Sequence, residues 1–156
     1  MYCDDLLNNL ILVYSDDIKN SKEGALSLYN ALEKKNISSS VVPINNLSKD
    51  ASFVIVMGGD GSILKTARFF APFQAPILGV NLGRLGFLSQ VNLDSIDFLV
   101  HEILNNNYQI ENRLMIECEE ANFFALNDIV IKGDTISRTS RFYLKINGQK
   151  LCEYLA

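Results

Sequence analysis

Several ingredients are scarce in this sequence, and each scarcity excludes something. It has one histidine, His101, and three cysteines, Cys3, Cys118 and Cys152. No pair of them has metal-ligand spacing, so a zinc centre is not expected. Their odd number and wide spacing suit reduced thiols in an intracellular protein rather than a disulfide framework. Basic charge is also short: 14 Lys and Arg stand against 18 Asp and Glu, a net charge of −4. That balance argues against a broad nucleic-acid-binding surface. It leaves room for a local anion site, because backbone amides do not enter the count. No apolar run nears the ~20 residues that span a bilayer. The start, Met1-Tyr2-Cys3-Asp4-Asp5, lacks the basic residues of a signal peptide. A soluble, cytoplasmic protein without membrane or nucleic-acid partners is expected.

What is present is a hydrophobic fraction of 48% over 156 residues, enough for a substantial core. Residues 10–14 form an apolar run that reads as a buried strand. Asn20 with Glu23 resembles a capping box. Ala25, Leu28, Tyr29 and Leu32 then recur on one helical face, and Asn36 can stop that helix. A weaker strand over 37–42 ends at Pro43. A third, 53–57, is followed by Gly58-Gly59-Asp60-Gly61-Ser62 and a helical pattern with Ile63, Ala67 and Phe70 on one face. Pro72 and Pro76 break the chain before a fourth strand over 77–80. A last helix, capped by Asp94 or Ser95, carries Ile96, Leu99, Val100, Ile103 and Leu104 on its apolar side. His101 lies off that stripe and reads as a solvent-facing residue. This order predicts an α/β fold, a Rossmann-like parallel sheet covered by helices.

Beyond Asn105-Asn106-Asn107 the hydrophobic period becomes two. Stretches 108–118, 123–132, 140–147 and 149–154 read as antiparallel strands, with Asn147-Gly148 as a hairpin turn. We place an α/β domain at 1–106, carrying the Gly-Gly-Asp-Gly motif. Residues 107–156 then begin a β-rich domain that stops before such a sheet would be covered. The antiparallel part is therefore expected to be incomplete.

The turn after the third strand is the first candidate site. Asp60 could simply cap the helix that follows. Capping alone does not call for glycines on both sides. Glycines there would admit a ligand close to the backbone or supply a positive φ. A carboxylate so placed could accept a proton from a hydroxyl or help hold Mg²⁺. The motif is neither a P-loop nor G-x-G-x-x-G, so those patterns carry no phosphate argument. Asn127-Asp128 is the second candidate, inside the apolar run 123–131. On a strand, one of the pair would face inward and need a partner. A bulge or turn is the equal alternative. Lys132-Gly133-Asp134-Thr135 reads as a hairpin turn.

Three motifs occur in order: Gly58-Gly59-Asp60-Gly61-Ser62; 76–88, which contains Asn81-Leu82-Gly83-Arg84-Leu85-Gly86-Phe87-Leu88; and Leu126-Asn127-Asp128-Ile129-Val130-Ile131. Together they resemble the NAD kinase family over about residues 50–156. The first motif is shared with diacylglycerol, sphingosine and phosphofructokinases; the other two are far more specific. The resemblance implies Mg²⁺-dependent transfer of the γ-phosphoryl of ATP, or of polyphosphate, to the 2′-hydroxyl of NAD's adenosine ribose. Asp60 would be the base. Gly61 would approach the dinucleotide with its backbone, and Lys65 would reach phosphate. Phe87 and Leu88 would pack near the adenine. Asn127 and Asp128 would grip NAD, and Arg138 matches a further basic position. No protein metal ligand is assigned. Ser62 stands where the family more often has Thr, which keeps the hydroxyl.

The family continues with an Asp-Gly and a segment ending in Ala-Tyr that line the site, and neither is present. Little activity is therefore expected of the 156 residues alone. The resemblance also implies a homo-oligomer. A lipid kinase sharing the first motif, or a non-catalytic nucleotide-binding or assembly module, are the alternative readings.

Overall fold

The computed structural model describes residues 7–83, 86–89, 91–133 and 139–155, without the side chain of Asp94. Strands β1 (Leu10–Tyr14) and β3 (Phe53–Met57) are buried along their whole length. They are apolar at every position because helices cover both faces of the sheet. Strands β2 (Ser39–Pro43), β4 (Ile77–Asn81) and β5 (Val91–Asn92) complete a parallel five-stranded sheet in the order β2-β1-β3-β4-β5. The parallel α/β expectation holds. The sequence reading missed β5, whose two residues are too few to show a period.

Alternation sorts the core into two layers. Leu10, Leu12, Tyr14, Phe53, Ile55 and Met57 face helices α1 (Ser21–Glu33) and α3 (Ile96–Leu104). Ile11, Val13, Val54 and Val56 face Ile63 and Phe70 of helix α2 (Asp60–Phe70). In α1, Ala25, Leu28 and Leu32 are buried as the spacing predicts. In α3 the buried stripe is Leu99, Val100 and Ile103; Leu104 is exposed, contrary to expectation. His101 is exposed as expected and lies 3.2 Å from the Glu102 carboxylate.

The helix starts differ from the capping expectations. Asn20 precedes α1 with φ 65° and its side chain makes no cap, so no capping box forms with Glu23. Ser95 makes no cap to α3 either, because a 3₁₀ turn, Leu93–Ser95, leads into that helix. At the other end of α1, Asn36 takes φ 60° and the Ile37 amide donates to the Leu32 carbonyl at 3.1 Å. That left-handed turn ends the helix as Asn36 suggested.

Ser21 ties the switch region together. Its buried hydroxyl donates to the Met57 carbonyl at 2.6 Å and accepts the Ser15 amide at 2.9 Å. The start of α1 is thereby fixed to the carboxyl ends of both β1 and β3. Ser21→Ala strips a partner from both backbone groups, and the expected loss of stability is about 1–3 kcal/mol in urea unfolding. A variant as stable as the wild type would show that water replaces the hydroxyl.

Past α3 the chain forms two antiparallel pairs, β6 (Ile116–Cys118) with β7 (Phe123–Ala125), and β8 (Arg141–Ile146) with β9 (Gln149–Leu155). Asn147 and Gly148, at φ 51° and 80°, make the hairpin turn the sequence predicts. The long strands expected over 108–118 and 123–132 are three residues each. Alternation permits a strand, but pairing requires a neighbour, and the β6–β7 pair covers only three positions. Leu114, Val130 and Ile131 are exposed. Tyr108 stacks on Phe53 with ring centroids 6.2 Å apart, and α2 packs on β7.

Candidate functional site

The parallel order 2-1-3-4-5 reverses direction between β1 and β3, and open α/β sheets bind ligands at that point, beyond the strands' carboxyl ends. A cleft of ≈ 300 Å³ lies there. Ser15, Asp17 and Ile18 follow β1, Ile44 follows β2, and Gly59, Gly61, Ser62 and Lys65 follow β3. No side chain caps α2. Its first amides and its dipole therefore favour an anion in the cleft.

Asp60 is the first residue of α2, with Gly59 before it in extended backbone at φ −83°. Its carboxylate does not cap the helix. Instead Oδ2 accepts the Phe87 amide at 2.9 Å and Oδ1 accepts the Leu88 amide at 3.0 Å. Two of the three sequence motifs thus meet in one pair of hydrogen bonds. Gly86 makes the approach possible: a Cβ there would overlap the carboxylate and lie 2.7 Å from Asp60 Cγ. The Gly86 amide donates to the buried Ser89 hydroxyl at 3.0 Å, which closes the turn.

The glycines beside Asp60 serve space rather than positive φ. Gly148 is the one described glycine with a positive φ. A Cβ at Gly58 would come 2.6 Å from Ser62 Oγ, whereas Gly59 and Gly61 face open space. The positive-φ explanation falls, and room for a ligand remains.

The other sequence-predicted residues divide. Lys65 lines the cleft and donates from Nζ to Asn45 Oδ1 at 2.6 Å. Leu88 packs on the core layer around Ile63 and Phe70, while Phe87 is 100% exposed. Asn127 and Asp128 lie just past the end of β7, both exposed. The chain bends at 126–127, and neither residue of the pair is the inward-facing member of a strand. They line a second groove, of ≈ 350 Å³, together with Leu64 and Arg68 of α2, Phe123, Ala125, Leu126, Ile129 and Val130. Among the described residues no hydrogen bond joins Asn127 or Asp128 to Asp60. Arg138, and Asp134-Thr135 of the expected hairpin turn, fall outside the described residues.

Sequence reading missed Arg68 and Asp17. Arg68 sits three residues after Lys65 and one turn after Leu64 on the exposed side of α2, which was its only signal. Asp17 lies in a polar loop that shows its use only once β1 and β3 are neighbours. Among the described residues no three His, Cys, Asp or Glu side chains cluster as a metal cage. Asp17 is the one carboxylate among the described residues that line the cleft, and Mg²⁺ takes one or two carboxylates together with substrate phosphates. Cys118 and Cys152 are free thiols.

The fold is an open parallel α/β sheet with a cleft at its switch point, bordered by glycines of the Gly-Gly-Asp-Gly motif. Within that fold class the comparisons are specific. Residues 7–108 match the profile of the ATP-NAD kinase N-terminal domain, and the chain belongs to that family. It is 42% identical over 113 residues to the NAD kinase of Thermoanaerobacter sp. (strain X514), covering 68% of this chain and 40% of that protein. It is 41% identical over 119 residues to the NAD kinase of Caldanaerobacter subterraneus subsp. tengcongensis, covering 72% and 42%. The matched stretch thus spans about two fifths of the length of these curated relatives.

Two crystal structures share the fold. The NAD kinase of Archaeoglobus fulgidus in complex with ATP superposes with a TM-score of 0.71 at 20% identity, over 94% of this chain and 57% of that one. Yeast NADH kinase complexed with NADH gives 0.69 at 17%, over 95% and 55%. No described helix is long and apolar enough to cross a membrane.

Proposed function

We propose that this chain carries the catalytic carboxylate of an NAD kinase, a phosphotransferase that makes NADP from NAD. The observation that carries the reading is the Asp60 carboxylate, held by the Phe87 and Leu88 amides beside the switch-point cleft. The α/β part, residues 1–106, supplies the cleft and the base. Residues 107–156 supply one wall of the NAD site. The phosphates of ATP occupy the cleft, against the α2 amides and Lys65. The adenosine ribose of NAD brings its 2′-hydroxyl to Asp60, with Gly61 leaving room for it and Phe87 and Leu88 beside the adenine. Asn127 and Asp128 hold NAD by hydrogen bonds, and Arg138 is a further phosphate contact.

The hydroxyl oxygen forms a bond to the γ-phosphorus as the bond from that phosphorus to the ADP oxygen breaks. The hydroxyl proton passes to Asp60. Transfer of this kind depends mainly on positioning and on neutralising the phosphoryl oxygens. Mg²⁺, held by Asp17 or Asp60 with the phosphates, would supply that neutralisation. The chain is read as part of a cytoplasmic, homo-oligomeric enzyme, the oligomer being what the resemblance to NAD kinases implies.

The test is NADP formation from NAD and ATP with Mg²⁺, coupled to an NADP-specific dehydrogenase. Production of NADP that stops when NAD is replaced by 2′-deoxy-NAD supports the assignment. Equal phosphoryl transfer to a diacylglycerol, with none to NAD, would move the chain to the lipid kinases.

A further inference from the structure

Helix α2 presents two cations three residues apart, and the structure directs them to different places. Lys65 borders the switch-point cleft and its ammonium is hydrogen-bonded to Asn45. Arg68 borders the groove that contains Asn127 and Asp128. Three residues turn an α-helix through about 300°, so the two side chains diverge by about 60° while remaining on one exposed side. Lys65 is thus placed for one anion and Arg68 for another.

We propose that Arg68 binds the diphosphate bridge of the dinucleotide that enters the second groove, and so separates acceptor phosphates from donor phosphates along one helix. This rests on the assignment of NAD to that groove. Three features single out Arg68. Among the described residues it is the one basic residue lining the groove. Its guanidinium carbon lies over the Phe123 ring, 6.0 Å from the centre, within reach of a cation–π contact. No ion pair among the described residues engages it, Asp128 included. A planar guanidinium near an aromatic ring, with its N–H edges unpaired among the described residues, suits bidentate recognition of a phosphate. The rest of the lining matches the neutral parts of a dinucleotide: Leu64, Ala125 and Ile129 offer apolar surface, and Asn127 offers an amide. Without Arg68, Asp128 would be the one charged side chain that the described lining presents to the doubly negative diphosphate.

The test is calorimetric titration of the 156-residue chain with NAD and, separately, with adenosine, for the wild type, Arg68→Gln, Arg68→Lys and Asn127→Ala. Arg68→Gln is expected to weaken NAD binding about tenfold, the scale of one charge-assisted contact, and to leave adenosine binding within about twofold. Arg68→Lys recovers part of the loss, and the gap between wild type and Arg68→Gln narrows as salt is raised. NAD binding by Arg68→Gln at wild-type strength, with Asn127→Ala impaired, overturns the proposal and leaves NAD in the groove. A loss that is equal for NAD and adenosine also overturns it, because the role would then be packing. A wild type that binds neither ligand removes the NAD assignment and this inference together.

Discussion

Replacing Asp60 with asparagine is expected to slow NADP formation by about 10²–10⁴-fold, the usual worth of a positioned general base. The substitution keeps the shape of the side chain and removes its basicity. It also disturbs the geometry that holds it. Asp60 accepts one backbone amide on each carboxylate oxygen. An asparagine has one acceptor oxygen, so its NH₂ group would face a second donor, from Phe87 or Leu88. Both effects fall on kcat. If NAD lies in the groove around Asn127, as proposed, its dissociation constant should change by less than about threefold. Steady-state kinetics with NAD titration separates the two. Wild-type turnover in Asp60→Asn would remove Asp60 as base.

Gly86→Ala should produce nearly as large a loss without touching the base itself. The added methyl would overlap Asp60 and approach its Cγ to 2.7 Å. Either the carboxylate or the 86–88 turn must move, and both amide bonds depend on their present separation. Displacement of a reacting group by ~1 Å costs on the order of 10²-fold in rate. Crowding of this kind also costs about 1–3 kcal/mol of stability. Gly83→Ala is the matched comparison, because a Cβ at Gly83 meets nothing within 4 Å. It should fold as stably as the wild type. Full activity in Gly86→Ala would show that the turn does not position Asp60.

Much of the fold was legible in the sequence because its two central strands are buried on both faces. Continuous apolar runs at 10–14 and 53–57 admit few readings. The Asn147-Gly148 turn was legible for a local reason: both residues must take positive φ, and these two types do so at little cost. What failed needed information from elsewhere in the chain. Alternation over 108–118 indicated a strand without indicating a partner, and three residues pair. Asn20 and Ser95 are good caps by type, yet a left-handed residue and a 3₁₀ turn occupy those positions.

The candidate site follows the same division. The motif around Asp60 was visible, and its two glycines at 59 and 61 do leave open space. Its bond to the 86–88 turn was not visible, because 27 and 28 residues separate the partners. Helix capping was the nearer use for that carboxylate, and the close approach of Gly86 offers a better one. Arg68 had only helical spacing to mark it. The short segment past β7 had to fold onto α2 before that arginine acquired a groove.

If Asp60 is the base that we propose, the γ-phosphoryl of ATP passes to the 2′-hydroxyl of NAD alone. Phosphorus NMR of NAD and ATP with Mg²⁺ and a form of the protein extended to the length of its NAD kinase relatives reads this out. The expected result is a 2′-phosphomonoester resonance that grows in step with ADP and is lost in Asp60→Asn while NAD still binds. A phosphomonoester at another position, or the same resonance growing at the wild-type rate in Asp60→Asn, would contradict it.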